Sequence, residues 1–402
     1  MIKNITIQYY KAINNCSNLP LQPFTVFIGN NGSGKSSAIE ALRTLHLAVT
    51  QNLEAAFEMW GGLDKVRNYN ANQDEPTKTV FGFVQNHQPI VIQLQAELNG
   101  KLFDYEVKIN INQTGDFYIV ESEVLKCDGK EIIIASIVDN SGVSMCRYVE
   151  KSIGDIPEFT FASNTLILSY RDGNPIFFNE NILAFQSFVA NWQFLYLNAH
   201  TMGLPVNQNR LIRKMKLDND GRNIAEFILW LSKQDDGFME SLIRKMKFVL
   251  PYLQDIQANL KDTFNREIEL LLYEENEKAK DPILGWLLSS GTLRILALLA
   301  MFTQPNKPSV LFVDEIENGL DPRTIGLLLS EIESVFHNKA MQVVITTHST
   351  YLLDMVPIES VIVTDKKLNG SLYTIPNNET TLNVWKEKFS PGKLYSMGKL
   401  TK

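Results

Sequence analysis

Gly29-Asn30-Asn31-Gly32-Ser33-Gly34-Lys35-Ser36 is the stretch on which the reading of this chain turns. It matches GxxxxGK[ST] and lies between a predicted strand, Thr25–Ile28, and a predicted helix, Lys35–Val49. That helix carries Ile39, Leu42, Leu45 and Val49 at helical spacing, one apolar face toward a core. Glycines in such a loop let backbone N–H groups turn inward around phosphate oxygens, and the helix start adds partial positive charge. The expected nucleotide-binding set is Gly29, Asn30, Asn31, Gly32, Ser33, Gly34, Lys35, Ser36 and Ser37. Lys35 is expected to reach the β- and γ-phosphates, and the Ser36 hydroxyl to ligate Mg²⁺.

A second stretch supplies the acids that phosphate chemistry needs. Val310-Leu311-Phe312-Val313-Asp314-Glu315 is four apolar residues ending in two carboxylates, the pattern of a buried parallel strand with both acids at its carboxyl end. Asp314 is expected to hold Mg²⁺ through water, and Glu315 to orient and deprotonate the attacking water. A carboxylate pair after a strand is a weak signal alone; beside a phosphate loop it becomes strong.

Working outward, the chain divides into four stretches, read together as one catalytic head. Residues 1–79 hold the phosphate loop, with a further strand at Ile5–Tyr10. Residues 80–180 alternate apolar and polar, as in Val91–Leu98 and Asp104–Ile111, with Asn-Gly and Thr-Gly turns, and predict an antiparallel β lobe. Residues 181–266 carry helical periodicity, as in Ile224, Phe227, Ile228 and Leu231, and predict a helical subdomain. Residues 267–402 return to buried strands at Val310–Val313, Val343–Thr347 and Val361–Thr364. The fold class is α/β, a mixed sheet core with the β lobe and helical subdomain inserted.

Composition narrows the setting. The 402 residues are 45% hydrophobic and 21% charged, ordinary globular values. No apolar stretch has the roughly 20 residues of a membrane helix and no secretory leader is visible, so a cytoplasmic protein without membrane contact is expected. Three scattered cysteines fit neither a disulfide framework nor a zinc site. A net charge of −7 argues against coating nucleic acid through the whole surface. Two local basic clusters, Arg210/Arg213/Lys214/Lys216 and Arg244/Lys245/Lys247, keep nucleic acid open as a partner beside the reading of solvated helix faces. The tail from Trp385, with Lys386, Lys388, Phe389, Lys393, Tyr395 and Lys399, could dock either nucleic acid or protein.

Further segments carry a family resemblance. Leu288-Ser289-Ser290-Gly291 resembles the signature motif of ABC ATPases, Gly319-Leu320-Asp321-Pro322 the D-loop, and Thr346-Thr347-His348-Ser349 the switch histidine, all in the order that class uses. Within the class the chain is most similar to the RecF/OLD/SMC-like "AAA family" ATPases of prokaryotes. Supporting segments are Gly61–Asp64, the meander with Tyr105, Glu121 and Leu125, Asp220–Ala225 and Ser290–Arg294. The resemblance implies a P-loop NTPase of ABC type that binds and hydrolyses ATP with Mg²⁺. It implies a homodimer in which Ser289, Ser290, Gly291 and Asp321 of one copy approach the nucleotide of the other, and His348 contacts the γ-phosphate. Lys11 resembles a basic residue that touches phosphate in RecF, SMC and OLD-type members.

The chain departs from that pattern in two ways. OLD proteins continue after the switch histidine into a metal-binding Toprim nuclease, whereas the residues after His348 hold no acidic cluster suited to two metals. A nuclease in cis is not expected, which points to a separately encoded effector, such as a nuclease, under ATP control, as in prokaryotic defence systems. The alternatives are a RecF-like repair ATPase that binds DNA and, further off, a transporter ATPase subunit. The glutamine of the Q-loop is not placed; Gln85, Gln93 and Gln95 are candidates or ordinary strand residues.

Overall fold

The computed structural model describes residues 1–71, 77–79, 82–84, 87–112, 117–137, 143–148, 158–170, 179–208, 214–261, 266–275, 281–338, 340–376 and 389–400. The chain forms two units: one from the described residues of Met1–Trp192 and Glu359–Asn378, the other from those of Gln193–Ile358 and Glu379–Leu400.

In the first unit β1 (Ile2–Tyr10) and β2 (Ile13–Pro20) form an antiparallel pair, followed by β3 (Phe24–Gly29) and α1 (Lys35–Thr50). Ile39, Leu42, Leu45 and Val49 of α1 are all buried, as the spacing predicts. Two short helices, α2 (Leu53–Glu58) and α3 (Leu63–Val66), precede a small pair, β4 (Thr77–Thr79) with β5 (Gly82–Val84). A long meander follows: β6 (Ile90–Leu98), β7 (Lys101–Ile111), β8 (Tyr118–Cys127), β9 (Lys130–Ile137), β10 (Val143–Tyr148) and β11 (Glu158–Ala162). Its strands are antiparallel, and β6 also pairs with β1, so the sheet runs β11-β10-β9-β8-β7-β6-β1-β2. The lobe expected from residue 80 therefore recruits two strands from the N-terminal stretch.

Period-two alternation explains which face is covered. Phe103, Tyr105, Val107 and Ile109 of β7 are buried on one face. There α4 (Glu180–Ala190) lays Phe185 against Phe103 and Tyr105, with ring centroids 5.6 and 5.4 Å apart.

The second unit begins at Gln193, within β12 (Trp192–Leu195), and continues with α5 (Ala199–Met202). The stretch expected to be helical supplies α6 (Ile224–Gln234) and α7 (Phe238–Val249), but also strands. These are β12, and β13 (Val206–Asn207) and β14 (Leu253–Leu260), the last two joining β15 (Glu267–Glu274) and β16 (Ile283–Leu284) in an antiparallel sheet. Leu253, Ile256 and Ala258 are the buried side chains of β14, an interrupted alternation that hides this strand from pattern reading. Then come α8 (Ser290–Thr303), β17 (Val310–Val313), α9 (Pro322–His337), β18 (Gln342–Thr347) and α10 (Thr350–Leu353). Strands β17 and β18 are parallel and buried along their length.

The chain then returns to the first unit. There β19 (Val361–Lys367) lies parallel to β3, with Thr364 opposite Gly29, and β20 (Gly370–Thr374) folds back antiparallel on β19. A last helix, α11 (Pro391–Ser396), belongs to the second unit.

Candidate functional site

In the first unit β3 delivers the phosphate loop to the start of α1. Gly34, the residue before the helix, has φ +106°, and a methyl group there would stand 2.2 Å from Ser371 Oγ on β20. The Tyr373 hydroxyl donates to the Gly34 carbonyl at 2.8 Å, so β20 pins the loop where it turns into the helix. No side chain caps α1 and its first turn holds no acid, which suits a helix start that receives an anion. Lys35 is buried, its Nζ donating to the carbonyls of Gly29 at 2.8 Å and Asn30 at 3.2 Å, so the ammonium is held over the loop. Asn30, Asn31 and Gly32 are exposed, and Ser36 is half-buried at the second position of the helix.

Lys11 sits beside the same helix. Its ammonium pairs with Glu40 of α1 at 2.8 Å and lies 3.3 Å from the ring centroid of Trp60. Burial lowers its pKa and Glu40 pulls it back up. Its φ of +47° is held by two contacts of its backbone: its N–H donates to Val66 O, and its carbonyl accepts from Asn68.

In the second unit the ends of β17 and β18 bring Asp314, Glu315 and His348 together with Thr346, Glu317 and Asn318. The Asp314 N–H donates to Leu195 O at 3.0 Å, and Asp314 Oδ1 accepts from the Thr346 hydroxyl at 2.5 Å. Glu315 has φ +48°, a left-handed conformation seldom adopted by a side-chain-bearing residue. Its Oε2 accepts from Asn318, and its Oε1 lies 3.8 Å from His348 Nε2. The His348 backbone N–H donates to Glu317 Oε1 at 2.5 Å, which fixes where the histidine emerges from the strand. Sequence reasoning places Thr346 only within the switch-histidine segment, with no role of its own, and misses Glu317 and Asn318. A threonine among the apolar residues of a buried strand was the available signal.

The signature segment opens α8. Ser289 is the N-cap, its Oγ accepting from the Thr292 N–H at 3.1 Å, and Ser289 and Ser290 are exposed. Burial lowers the pKa of Arg294, further along α8, and the charge of Glu315 raises it. Asp321 caps α9, accepting from the N–H groups of Arg323 and Thr324 and from the Thr324 hydroxyl. The Thr324 hydroxyl leads the donors that hold its carboxyl below the usual range.

Other candidates are placed elsewhere. Lys245 pairs with Glu331 at 2.5 Å and Lys247 with Glu275 at 3.4 Å, so two members of that basic cluster have carboxylate partners. Gln93 and Gln95 bond across the meander to Glu106 and Asp104, as ordinary strand residues do. In the tail, Lys393 lies 5.2 Å from the Phe389 ring centroid. Arg210, Arg213, Gln85, Trp385, Lys386 and Lys388 lie outside the described residues. Among the described residues no helix is long and apolar enough to cross a membrane.

Two family descriptions match in sequence: "AAA ATPase domain" over residues 1–174 and "AAA domain, putative AbiEii toxin, Type IV TA system" over residues 168–354. The chain is an AAA-family ATPase. No curated protein matches the ATPase in sequence. Among solved structures, the Smc head bound to the C-winged helix domain of ScpA is similar at 13% identity and TM-score 0.53. It covers 93% of this chain and 97% of that one. A second is the Smc head domain with an extended coiled coil, bound to the C-terminal domain of ScpA, from Pyrococcus furiosus. It is 11% identical with TM-score 0.50, covering 96% of the ATPase and 98% of that chain. The ATPase thus has the α/β P-loop fold of ABC type.

Proposed function

We propose that this ATPase is the nucleotide-controlled switch of a two-part system: a homodimer closes around ATP, and its state governs a separately encoded effector in prokaryotic defence. The observation that carries the dimer is the start of α8. Leu287 is 66% exposed and Trp286 40% exposed, immediately before the exposed signature serines. Large apolar side chains standing in solvent beside a helix start suited to an anion are what a second copy bringing its own triphosphate would cover. The defence role is supported by the toxin–antitoxin wording of one matching family. The ion pairs of Lys245 and Lys247 make the DNA-binding alternative the weaker reading.

In this reading the loop N–H groups and Lys35 hold the β- and γ-phosphates. Glu315 takes a proton from water as its oxygen bonds to the γ-phosphorus and the bond to the β-phosphate oxygen breaks. His348 donates to the γ-phosphate, and Ser289, Ser290 and Gly291 cap the phosphate of the other copy. Ser36 and Asp314 offer a hydroxyl and a carboxylate, the hard oxygen donors Mg²⁺ takes, and would hold it. When bound, Mg²⁺ offsets charge on the β- and γ-oxygens.

Light scattering after gel filtration tests the dimer. Glu315→Gln is expected to bind ATP, to hydrolyse it about 10²- to 10⁴-fold more slowly and to run as a dimer only with ATP. Lys35→Ala should bind no nucleotide and stay monomeric, and Ser289→Arg should bind ATP without dimerising. A Glu315→Gln protein that stays monomeric with ATP bound overturns the sandwich. Purification from the native operon without any stable partner overturns the effector.

A further inference from the structure

One side chain joins the ends of the two strands that carry the acids and the histidine. Thr346, 0% exposed, donates from Oγ1 to Asp314 Oδ1 at 2.5 Å and accepts from the Glu315 N–H at 2.8 Å. The direction of both bonds is fixed, because the peptide N–H can only donate and the single hydroxyl proton is left for the carboxylate. Hydroxyl-to-carboxylate bonds of this length are charge-assisted and among the stronger ones.

The two bonds do different things. The first sets the rotation of the Asp314 carboxylate. The second holds the peptide that enters Glu315, the residue at φ +48°, and the Thr346 carbonyl accepts the next N–H, from Ile316, at 3.2 Å. A left-handed non-glycine residue persists only where its surroundings hold it. Threonine suits the position because its β-branch stiffens χ1 within a strand, keeping the hydroxyl aimed at both partners. Valine would fill nearly the same volume and leave the Glu315 N–H without this acceptor.

We propose that Thr346 is a positioning residue for ATP hydrolysis, its hydroxyl aligning the Asp314 carboxylate and the Glu315 backbone as one unit. The proposal rests on the roles given above to Asp314 and Glu315.

Thr346→Val, Thr346→Ser and Glu315→Gln, each checked for folding by circular dichroism, are to be assayed for hydrolysis over a range of Mg²⁺ and for binding of a fluorescent ATP analogue. Thr346→Val is expected to lower kcat about 10- to 100-fold and to raise the Mg²⁺ needed for half-maximal rate, with analogue affinity unchanged because the phosphate loop is intact. Thr346→Ser, which keeps the hydroxyl, should recover most of the rate and the parent's Mg²⁺ dependence. A folded Thr346→Val with the parent's kcat and Mg²⁺ dependence, beside an inactive Glu315→Gln, overturns the role of Thr346 and leaves the general base standing. A folded Thr346→Ser as slow as the valine variant overturns it too, since packing and not the hydroxyl would then matter. Parent-like hydrolysis by Glu315→Gln instead overturns the assignment on which the proposal rests.

Discussion

Gly291 of the signature helix and Gly319 of the loop after the acidic strand touch so closely that a methyl group on Gly291 would lie 2.4 Å from the Gly319 carbonyl oxygen. Gly319 itself has φ +72° and lies against Ser290 and Arg294. The segment proposed to cap a phosphate is therefore braced within its own chain by the segment that leads to Asp321.

Gly291→Ala is accordingly expected to force these backbones apart, at about 1–3 kcal/mol of stability, since carbonyl oxygens cannot swing aside as side-chain ends do. Chemical denaturation measures the loss. ATP-dependent dimerisation of the same variant should fall more steeply than analogue binding, because the phosphate loop is untouched; a parent-like dimer would count against the bracing.

The phosphate loop gives a second prediction. Tyr373→Phe removes the hydroxyl that holds the Gly34 carbonyl. It should cost about 1 kcal/mol of stability and weaken ATP-analogue binding in titrations. Gly34→Ala should be worse, because φ +106° and the Ser371 contact both oppose a side chain there.

Glu123 gives a pH dependence remote from the chemistry. It is fully buried on β8, accepting from the Ile167 and Leu168 N–H groups and the Tyr105 hydroxyl, and so ties the turn at 167–169 to the sheet. Burial pushes its carboxyl up to about 7 from 4.5, although all three donors pull it down. An acid with a raised folded pKa binds more protons folded than unfolded between those values, so its contribution to stability falls as pH rises from 4.5 to 7. Glu123→Gln should lack this slope, a difference of at most about 3 kcal/mol between pH 4.5 and 8 when denaturation curves of the two proteins are compared. Equal slopes would show that the carboxyl titrates normally.

Much of this was legible in the residues. The strand at Val310–Val313 is found with the predicted bounds, and the helix predicted from Lys35 to Val49 ends at Thr50. Both have strong local signals: an unbroken apolar run in one, a glycine loop followed by a helical stripe in the other. Strands β13 and β14 within 181–266 were not legible, because they take their pairing from β15, beyond that stretch. Nor could Lys11 be matched from sequence to Glu40 and Trp60, its partners across the fold.

The sequence by itself determined the chemistry on offer: a loop whose glycines admit phosphate, a lysine to hold it, and two acids and a histidine at strand ends. Those follow from residue type and order, which local sterics and charge make readable. Only the tertiary structure decided how the acids are aimed. The Thr346 hydroxyl reaches Asp314 and Glu315 because parallel pairing sets Val313 beside Ile345 and so brings two strand ends together. Hydrogen bonds between residues some thirty positions apart act over about 3 Å, and separation along a chain does not record which distant groups will meet at that range.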